Sequence, residues 1–372
     1  VSKMRFGIVD ELFEKIEDTA ILEELAEKKK RLESFTEISK IRKPKAISAS
    51  LRDYQKEGLN WLNLLNEMGW GGILADDMGL GKTLQILALL AGNKAKRPKT
   101  SLVVVPTTLI FNWQNEIDKF YPSLKMLFHY GNSREKDHKN FGKYNLVVTT
   151  YGLMVNDIEL LSKVKFNYVI LDESQAIKNP LSKRYKAACL LQGKNRLTLT
   201  GTPIENNTFD LFAQMSFVNP GLLGTQKSFR DQYSTPIDKD KDPGRANELR
   251  RIISPFVMRR TKEQVATELP PKTEDVLFCS MEATQQAVYE EYRRKYRDLI
   301  LNKIDEDGLG KTKMSILDGL LRLRQICNNP ALIEGKEKLP DESVKLEELM
   351  RQINEKTGKH KVLIFSQFVS ML

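Results

Sequence analysis

Few residue patterns restrict a fold as tightly as a short apolar run that passes through two glycines into Lys-Thr and then into an apolar helix. Here residues 72–75 lead into Asp76-Asp77-Met78-Gly79-Leu80-Gly81-Lys82-Thr83, and the apolar stretch 84–90 follows. Strand, glycine-containing loop and helix together build a phosphate cradle. Backbone N–H groups of the loop and of the helix N-terminus point at phosphate oxygens. In that setting Asp77, Met78, Gly79, Leu80 and Gly81 wrap the phosphates of ATP, and Lys82 reaches the β- and γ-phosphates. The Thr83 hydroxyl is placed to ligate Mg2+. One position departs from the P-loop pattern: where its first glycine belongs, this chain has Asp76.

The same five letters recur at Gly308-Leu309-Gly310-Lys311-Thr312. What precedes them, Lys303-Ile304-Asp305-Glu306-Asp307, is no buried strand, so nothing aims the loop at a phosphate. This second copy is expected to be a surface loop.

The surrounding pattern supports an α/β fold. Short runs rich in Val, Ile and Leu at 72–75, 102–105, 126–128, 146–149, 168–171 and 197–199 alternate with amphipathic segments. That alternation predicts a parallel sheet with helices on both faces. A helix is expected from Ser50 as its N-cap to about Met68, closed by Gly69. Residues 203–260 read as a mostly helical protrusion interrupted by a charged loop at 238–245, with Thr202-Pro203-Ile204-Glu205 as its capping box. Pro270-Pro271 marks a boundary. Beyond it a strand at 275–280, a helix from about Glu282, a loop at 305–311, a second helix through Asn328 and a strand at 361–365 are expected. The domains are then 1–45, a charged helical segment and linker; 46–268, a first lobe; and 269–372, an incomplete second lobe. The chain starts at Val1 and stops at Leu372 inside what reads as a strand and helix start, which suggests part of a longer protein.

Composition limits the partners. Across 372 residues, 59 Lys and Arg against 49 Asp and Glu leave a net charge of +10, a balance suited to polyanions. No run of about 18 apolar residues occurs, so no membrane-spanning helix is expected. Cys189, Cys279 and Cys327 lie far apart without Cys-x-x-Cys spacing, which argues against structural zinc and a disulfide framework. They are expected to be buried packing residues.

A second chemical element follows the strand at 168–171. Asp172-Glu173-Ser174-Gln175 ends an apolar run with paired carboxylates. In a phosphoryl-transfer site Asp172 would hold the magnesium, and Glu173 would orient and deprotonate the attacking water. Thr200-Gly201-Thr202 follows another strand, at the sheet edge where nucleotides bind. Its hydroxyls are placed to sense the γ-phosphate and couple it to motion.

Read together, these residues resemble the SWI/SNF-type remodelling ATPases, a branch of the superfamily-two helicases. Asp76-Asp77-Met78-Gly79-Leu80-Gly81-Lys82-Thr83 is the specific string. Leu51-Arg52-Asp53-Tyr54-Gln55 resembles the family's adenine-reading motif, with Gln55 as its glutamine. Val103-Val104-Val105-Pro106 with Asn112-Trp113, Val148-Thr149-Thr150-Tyr151, Asp172-Glu173-Ser174-Gln175, and Leu199-Thr200-Gly201-Thr202-Pro203-Ile204-Glu205-Asn206 follow in family order. So do Arg259-Arg260-Thr261-Lys262, the second-lobe helix ending at Asn329-Pro330, and motif IV at 362–368. The family more often has Ala or Gly at 174 and His at 175 and 329.

The resemblance implies two RecA-like lobes, the first complete and the second only begun. It implies an ATP- and Mg2+-dependent translocase on double-stranded DNA that remodels or displaces a DNA-bound protein such as a histone or RNA polymerase. Thr107, Trp113, Gly131, Thr149, Thr150 and Asn206 are its DNA-contact candidates. The compact region after motif III resembles prokaryotic members, which would be cytoplasmic and nucleoid-associated; a eukaryotic member would be nuclear. Motifs V and VI, with the arginine finger that contributes roughly 10³–10⁵ in rate, would lie beyond Leu372, so slow turnover is expected. Two other readings stay open: a strand-separating helicase on single-stranded DNA or RNA, and a nucleotide-binding module without turnover.

Overall fold

The computed structural model describes residues 41–92, 100–132, 134–201, 208–268, 270, 272–333, 339–358 and 360–372; for 305–311 it describes the backbone alone. The chain divides into two compact units, the first reaching Pro270 and the second running from Pro271 to Leu372.

The first unit is built on one seven-stranded, wholly parallel sheet. Its strands are β1 (Gly72–Leu74), β2 (Ser101–Val105), β3 (Met126–Phe128), β4 (Leu146–Thr150), β5 (Lys165–Leu171), β6 (Gln192–Leu199) and β7 (Val257–Met258). Their spatial order is β3-β4-β2-β5-β6-β1-β7. A parallel strand inside such a sheet meets helices on both faces, so its sequence is apolar throughout rather than alternating. All five residues of β2 and of β4 are buried, and β5 is buried from Phe166 to Leu171. All six strands expected from apolar runs are present. The seventh, β7, lies at the end of the segment expected to be helical; its two residues pair with Ile73 and Leu74.

Helices α1 (Asp53–Met68), α2 (Lys82–Ala91), α3 (Ile110–Phe120), α4 (Tyr151–Asn156), α5 (Lys183–Leu190), α6 (Thr208–Val218) and α7 (Pro243–Ile253) cover the sheet or extend from it. The start of α1 differs from expectation. Its cap position is Arg52 rather than Ser50, and the Gln55 side chain accepts the Arg52 backbone N–H at 3.0 Å. Gly69 closes it in the left-handed conformation, as expected (φ 70°). The protrusion is mostly helical across 208–253, whereas its expected capping box falls in 202–207, outside the described residues.

The second unit is described by itself. Helical backbone spans α8 (Ala283–Asn328), 46 residues, but it is no straight rod. Nine residues of straight helix cover about 13.5 Å, yet the Thr312 hydroxyl donates to the Lys303 carbonyl at 3.3 Å. Lys303 Nζ meets Ser315 Oγ at 2.9 Å, the Tyr296 hydroxyl meets Asp318 at 2.7 Å, and Gln285 meets the Ile326 carbonyl at 2.7 Å. The two halves are therefore antiparallel. The chain reverses where a loop is expected, through helical rather than loop backbone. Val288, Ile326 and Ile333 form a small core beneath them, and α9 (Val344–Lys356) follows. The strands expected at 275–280 and 361–365 do not form. Among the described residues neither segment has a ladder partner, and their large apolar side chains stand in solvent, Phe278 93% and Phe365 88% exposed. The three cysteines are partly exposed, not buried.

Candidate active site

β1, β6 and β5 are neighbours in the sheet, so the loops leaving their C-terminal ends lie side by side. β1 feeds the glycine loop and Lys82, β6 ends at Thr200-Gly201, and β5 ends at Asp172-Glu173. Sheet order alone thus brings together three motifs that are far apart in sequence. A cleft of ≈ 260 Å³ gathers Met78, Gly79, Gly81, Lys82 and Thr83 from the first of these, and Asp172 and Glu173 from the third; Asn112, Trp113 and Glu116 of α3 line it too.

The loop conformation explains its glycines. Gly79 and Gly81 hold φ of 86° and 74°, a region costly for other residues. A Cβ on Gly81 would also lie 2.6 Å from Gln55 Nε2. Gln55 is buried and donates to the Leu80 carbonyl at 3.2 Å, as does the Tyr54 hydroxyl at 3.2 Å. The adenine-reading candidate therefore braces the phosphate loop itself. Lys82 Nζ donates to the Asp76 carbonyl at 2.7 Å, which holds the ammonium within the curve of the loop.

Asp172 is the most constrained group in the cleft. Burial pushes its carboxyl above the ordinary range. The indole N–H of Trp113 opposes that shift by donating to Oδ2 at 2.8 Å, while the neighbouring Glu173 adds to it. The Tyr151 hydroxyl donates to the Asp172 carbonyl at 2.7 Å and fixes the end of the strand. Glu173 sits at φ 49°, left-handed for a residue with a side chain, a strain of a kind that collects at functional sites. Its carboxylate accepts from Gln175 Nε2 at 2.9 Å, and Gln175 Oε1 accepts from the Thr200 hydroxyl at 3.4 Å. A hydrogen-bonded line thus joins Thr200, at the end of β6, to Glu173. Gln175, noted in the sequence only as a departure from the family's histidine, is the middle of that line.

Glu116 was not singled out from sequence. It lines the cleft beside Thr83, and burial pushes its carboxyl up, against the lowering effect of the nearby Thr83 hydroxyl and with Asp172 adding to the shift. Its position one turn after Trp113 on α3 is the signal that would have found it. Thr83, Asp172 and Glu116 offer hard oxygen donors, the chemistry that suits Mg2+ beside phosphate.

The DNA candidates separate into two groups. Thr107 and Gly131 are exposed, past the C-terminal ends of β2 and β3. Gly131 holds φ 79° with open space around it. Trp113, Thr149 and Thr150 are buried and engaged inside the fold. Trp113 is bound to Asp172, the Thr149 hydroxyl donates to the His129 carbonyl at 3.0 Å, and Thr150 caps α4 by accepting from Leu153 N at 3.2 Å. Asn206 and Thr202 lie outside the described residues. The loop carrying Gly131 is pinned. Asp157 accepts from Arg134 Nε at 2.6 Å and Nη2 at 3.0 Å, and it meets the buried His129 Nε2 at 2.9 Å.

Comparison with known proteins agrees with this arrangement. The SNF2-related domain matches residues 54–332. The putative ATP-dependent helicase/translocase YwqA of Bacillus subtilis is 40% identical over 337 residues, 88% of this chain and 36% of that protein. The TATA-binding protein-associated factor MOT1 of Saccharomyces cerevisiae is 35% identical over 316 residues, 78% of this chain and 17% of that protein. The chain thus spans no more than 36% of the length of these two curated relatives. The Sulfolobus solfataricus SWI2/SNF2 ATPase core solved with double-stranded DNA is 39% identical, with a TM-score of 0.59 over 90% of this chain and 70% of that one. The motif resemblance, the parallel RecA-like sheet and the domain match agree: the chain belongs to the SNF2 family.

Proposed function

We propose that this chain binds ATP and Mg2+ in the cleft between β1 and β5 and supplies the nucleotide-holding part of a DNA-dependent ATPase. We further infer that the motor moves along double-stranded DNA and remodels or displaces DNA-bound protein. The observation that carries the reading is the convergence of Lys82, Thr83, Asp172 and Glu173 on one cleft at the C-terminal edge of a parallel sheet. The relatives add direction: one SNF2 core was solved on double-stranded DNA, and others bear the names helicase/translocase and TATA-binding protein-associated factor.

The roles follow from placement. Lys82 swings from the loop carbonyls to the β- and γ-phosphates. Thr83 and Asp172 would hold Mg2+, which supplies charge neutralisation at the phosphates. Glu173, aimed by Gln175, orients the attacking water and takes its proton. Thr200, bonded to Gln175, is placed to report the state of that carboxylate to the end of β6. Thr107 and Gly131 belong to the proposed DNA surface, where a hydroxyl and backbone N–H groups suit phosphates and give sequence-indifferent, salt-dependent affinity. Such a motor would work at the nucleoid of a prokaryote or in a eukaryotic nucleus.

The test is ATP hydrolysis with double-stranded DNA, single-stranded DNA or no DNA. Stimulation by the duplex is expected. Stimulation by single strands alone would replace the translocase reading with a strand-separating helicase, and an absence of hydrolysis under all three conditions would leave only a nucleotide-binding module.

A further inference from the structure

Asp76 stands where the phosphate-loop pattern has a glycine, and its side chain is completely buried. A buried carboxylate needs an opposite charge and a full set of donors. Arg260 supplies both: Nε donates to Oδ1 at 2.9 Å and Nη2 to Oδ2 at 2.5 Å, a two-pronged fork. Gln85 completes the cluster, donating to Asp76 Oδ2 at 3.2 Å and accepting from Arg260 Nη2 at 3.0 Å. Arg260 Nη1 donates to the Tyr54 carbonyl, and its guanidinium lies 5.3 Å from the Tyr54 ring centroid. α1 makes room for the cluster at Gly58, where a Cβ would lie 1.9 Å from Gln85 Oε1.

The backbone repeats the connection. Ile73 N donates to the Phe256 carbonyl at 2.8 Å, Ala75 N to Met258 at 2.7 Å and Asp77 N to Arg260 at 3.0 Å. The β1–β7 ladder therefore continues beyond the strands into the phosphate loop. Lys262 N then donates to Asp77 Oδ2 at 3.0 Å. Residues 256–262 belong to the segment by which the chain leaves the first unit at Pro270. The first limb of the phosphate loop and that segment are one hydrogen-bonded structure with a buried ion pair at its centre.

We propose that Arg260 is a positioning residue of the nucleotide site: through Asp76 it sets the first limb of the phosphate loop and ties nucleotide occupancy to the segment 256–266. The inference rests on the ATP-binding reading above. A solely structural ion pair would contribute to stability and leave affinity untouched. A positioning clasp makes the two sites thermodynamically linked, so nucleotide must order the segment as the clasp orders the loop.

The experiment uses the 372-residue chain, a fluorescent ADP with Mg2+, and amide exchange of peptides covering 256–266 with and without Mg-ADP. In the unaltered chain Mg-ADP is expected to slow exchange in 256–266. Arg260→Lys keeps the charge but cannot fork; it is expected to weaken Mg-ADP by about tenfold and abolish that protection. Gln85→Met removes the bridging amide without unpairing a charge and is expected to weaken binding by a smaller factor, about threefold. If the unaltered chain binds Mg-ADP while both folded variants bind within twofold of it, Arg260 is a structural residue and the inference is wrong. Absence of protection at 256–266 in the unaltered chain overturns it even if Arg260→Lys does not fold. Failure of the unaltered chain to bind Mg-ADP would instead sink the nucleotide reading, and this inference with it.

Discussion

Trp113 shows what a single residue discloses in sequence and what it withholds. By motif it is a DNA-contact candidate; by position it shares an i, i+3, i+7 stripe with Ile110 and Ile117, all three buried. The stripe identifies a core-facing ring, but no sequence rule identifies the atom at its end, which is Asp172 Oδ2. That partner gives a prediction. In Trp113→Phe the ring packing is kept and the indole donor is lost, leaving a buried carboxylate without one of its hydrogen bonds. A hydrogen bond to a charged group contributes about 1.5–3 kcal/mol, so Mg-nucleotide affinity should fall by roughly tenfold or more, while DNA affinity should not change. Equilibrium binding of both ligands checks this; a loss confined to DNA would restore the motif-based reading. Glu116 makes a companion case. If it orients the Thr83 hydroxyl toward the cation, Glu116→Gln should raise the Mg2+ concentration needed for half-maximal nucleotide binding, without altering metal-independent binding.

At the scale of elements, the strands of the first unit were legible because a parallel sheet writes burial on both faces into uninterrupted Val, Ile and Leu. β7 was not: two residues carry no periodicity, and its existence depends on the edge that β1 offers. The expected strands at 275–280 and 361–365 fail for the converse reason, since an apolar run makes a strand only where a ladder partner exists. Close approach is equally invisible in sequence. A Cβ on Gly71, just before β1, would lie 2.3 Å from the Val218 carbonyl oxygen and 2.5 Å from that of Arg196, backbone atoms that cannot rotate away. Gly71→Ala should therefore destabilise the first unit by roughly 1–3 kcal/mol, as read by chemical denaturation. The β3–β4 connection gives a pH prediction. Hydrogen bonding from Arg134 holds the Asp157 carboxyl below its ordinary value of 3.8, against the opposing effect of burial and with help from His129. The folded state thus favours the ionised form. The stabilisation is fully present above 3.8 and is lost as pH falls through the lower folded value. Thermal midpoints of the unaltered chain and of Asp157→Asn should differ by a constant amount at neutral pH and converge only below that value. A gap that closes well above 3.8 would overturn this assignment to the Asp157 carboxylate.

Across the whole molecule, the sharpest contrast is between the two Gly-Leu-Gly-Lys-Thr strings, of which the first is the proposed nucleotide site. Residues 79–83 follow a buried parallel strand, place two glycines at positive φ and open α2 toward Asp172 on the strand two places along the sheet. Residues 308–312 lie within helical backbone in the second unit, where the chain reverses between antiparallel halves. The repeat thus follows helical backbone, with no buried strand before it to aim its amides at a phosphate. Sequence anticipated that the two settings differ, one after a buried strand and one not, though it read the second as a loop where the backbone is helical. Two single substitutions put this to the test. Lys82→Ala should abolish measurable Mg-nucleotide binding, or weaken it by about a hundredfold, whereas Lys311→Ala should leave it within experimental error of the unaltered chain. Equal losses at both positions would overturn the distinction drawn between the two strings.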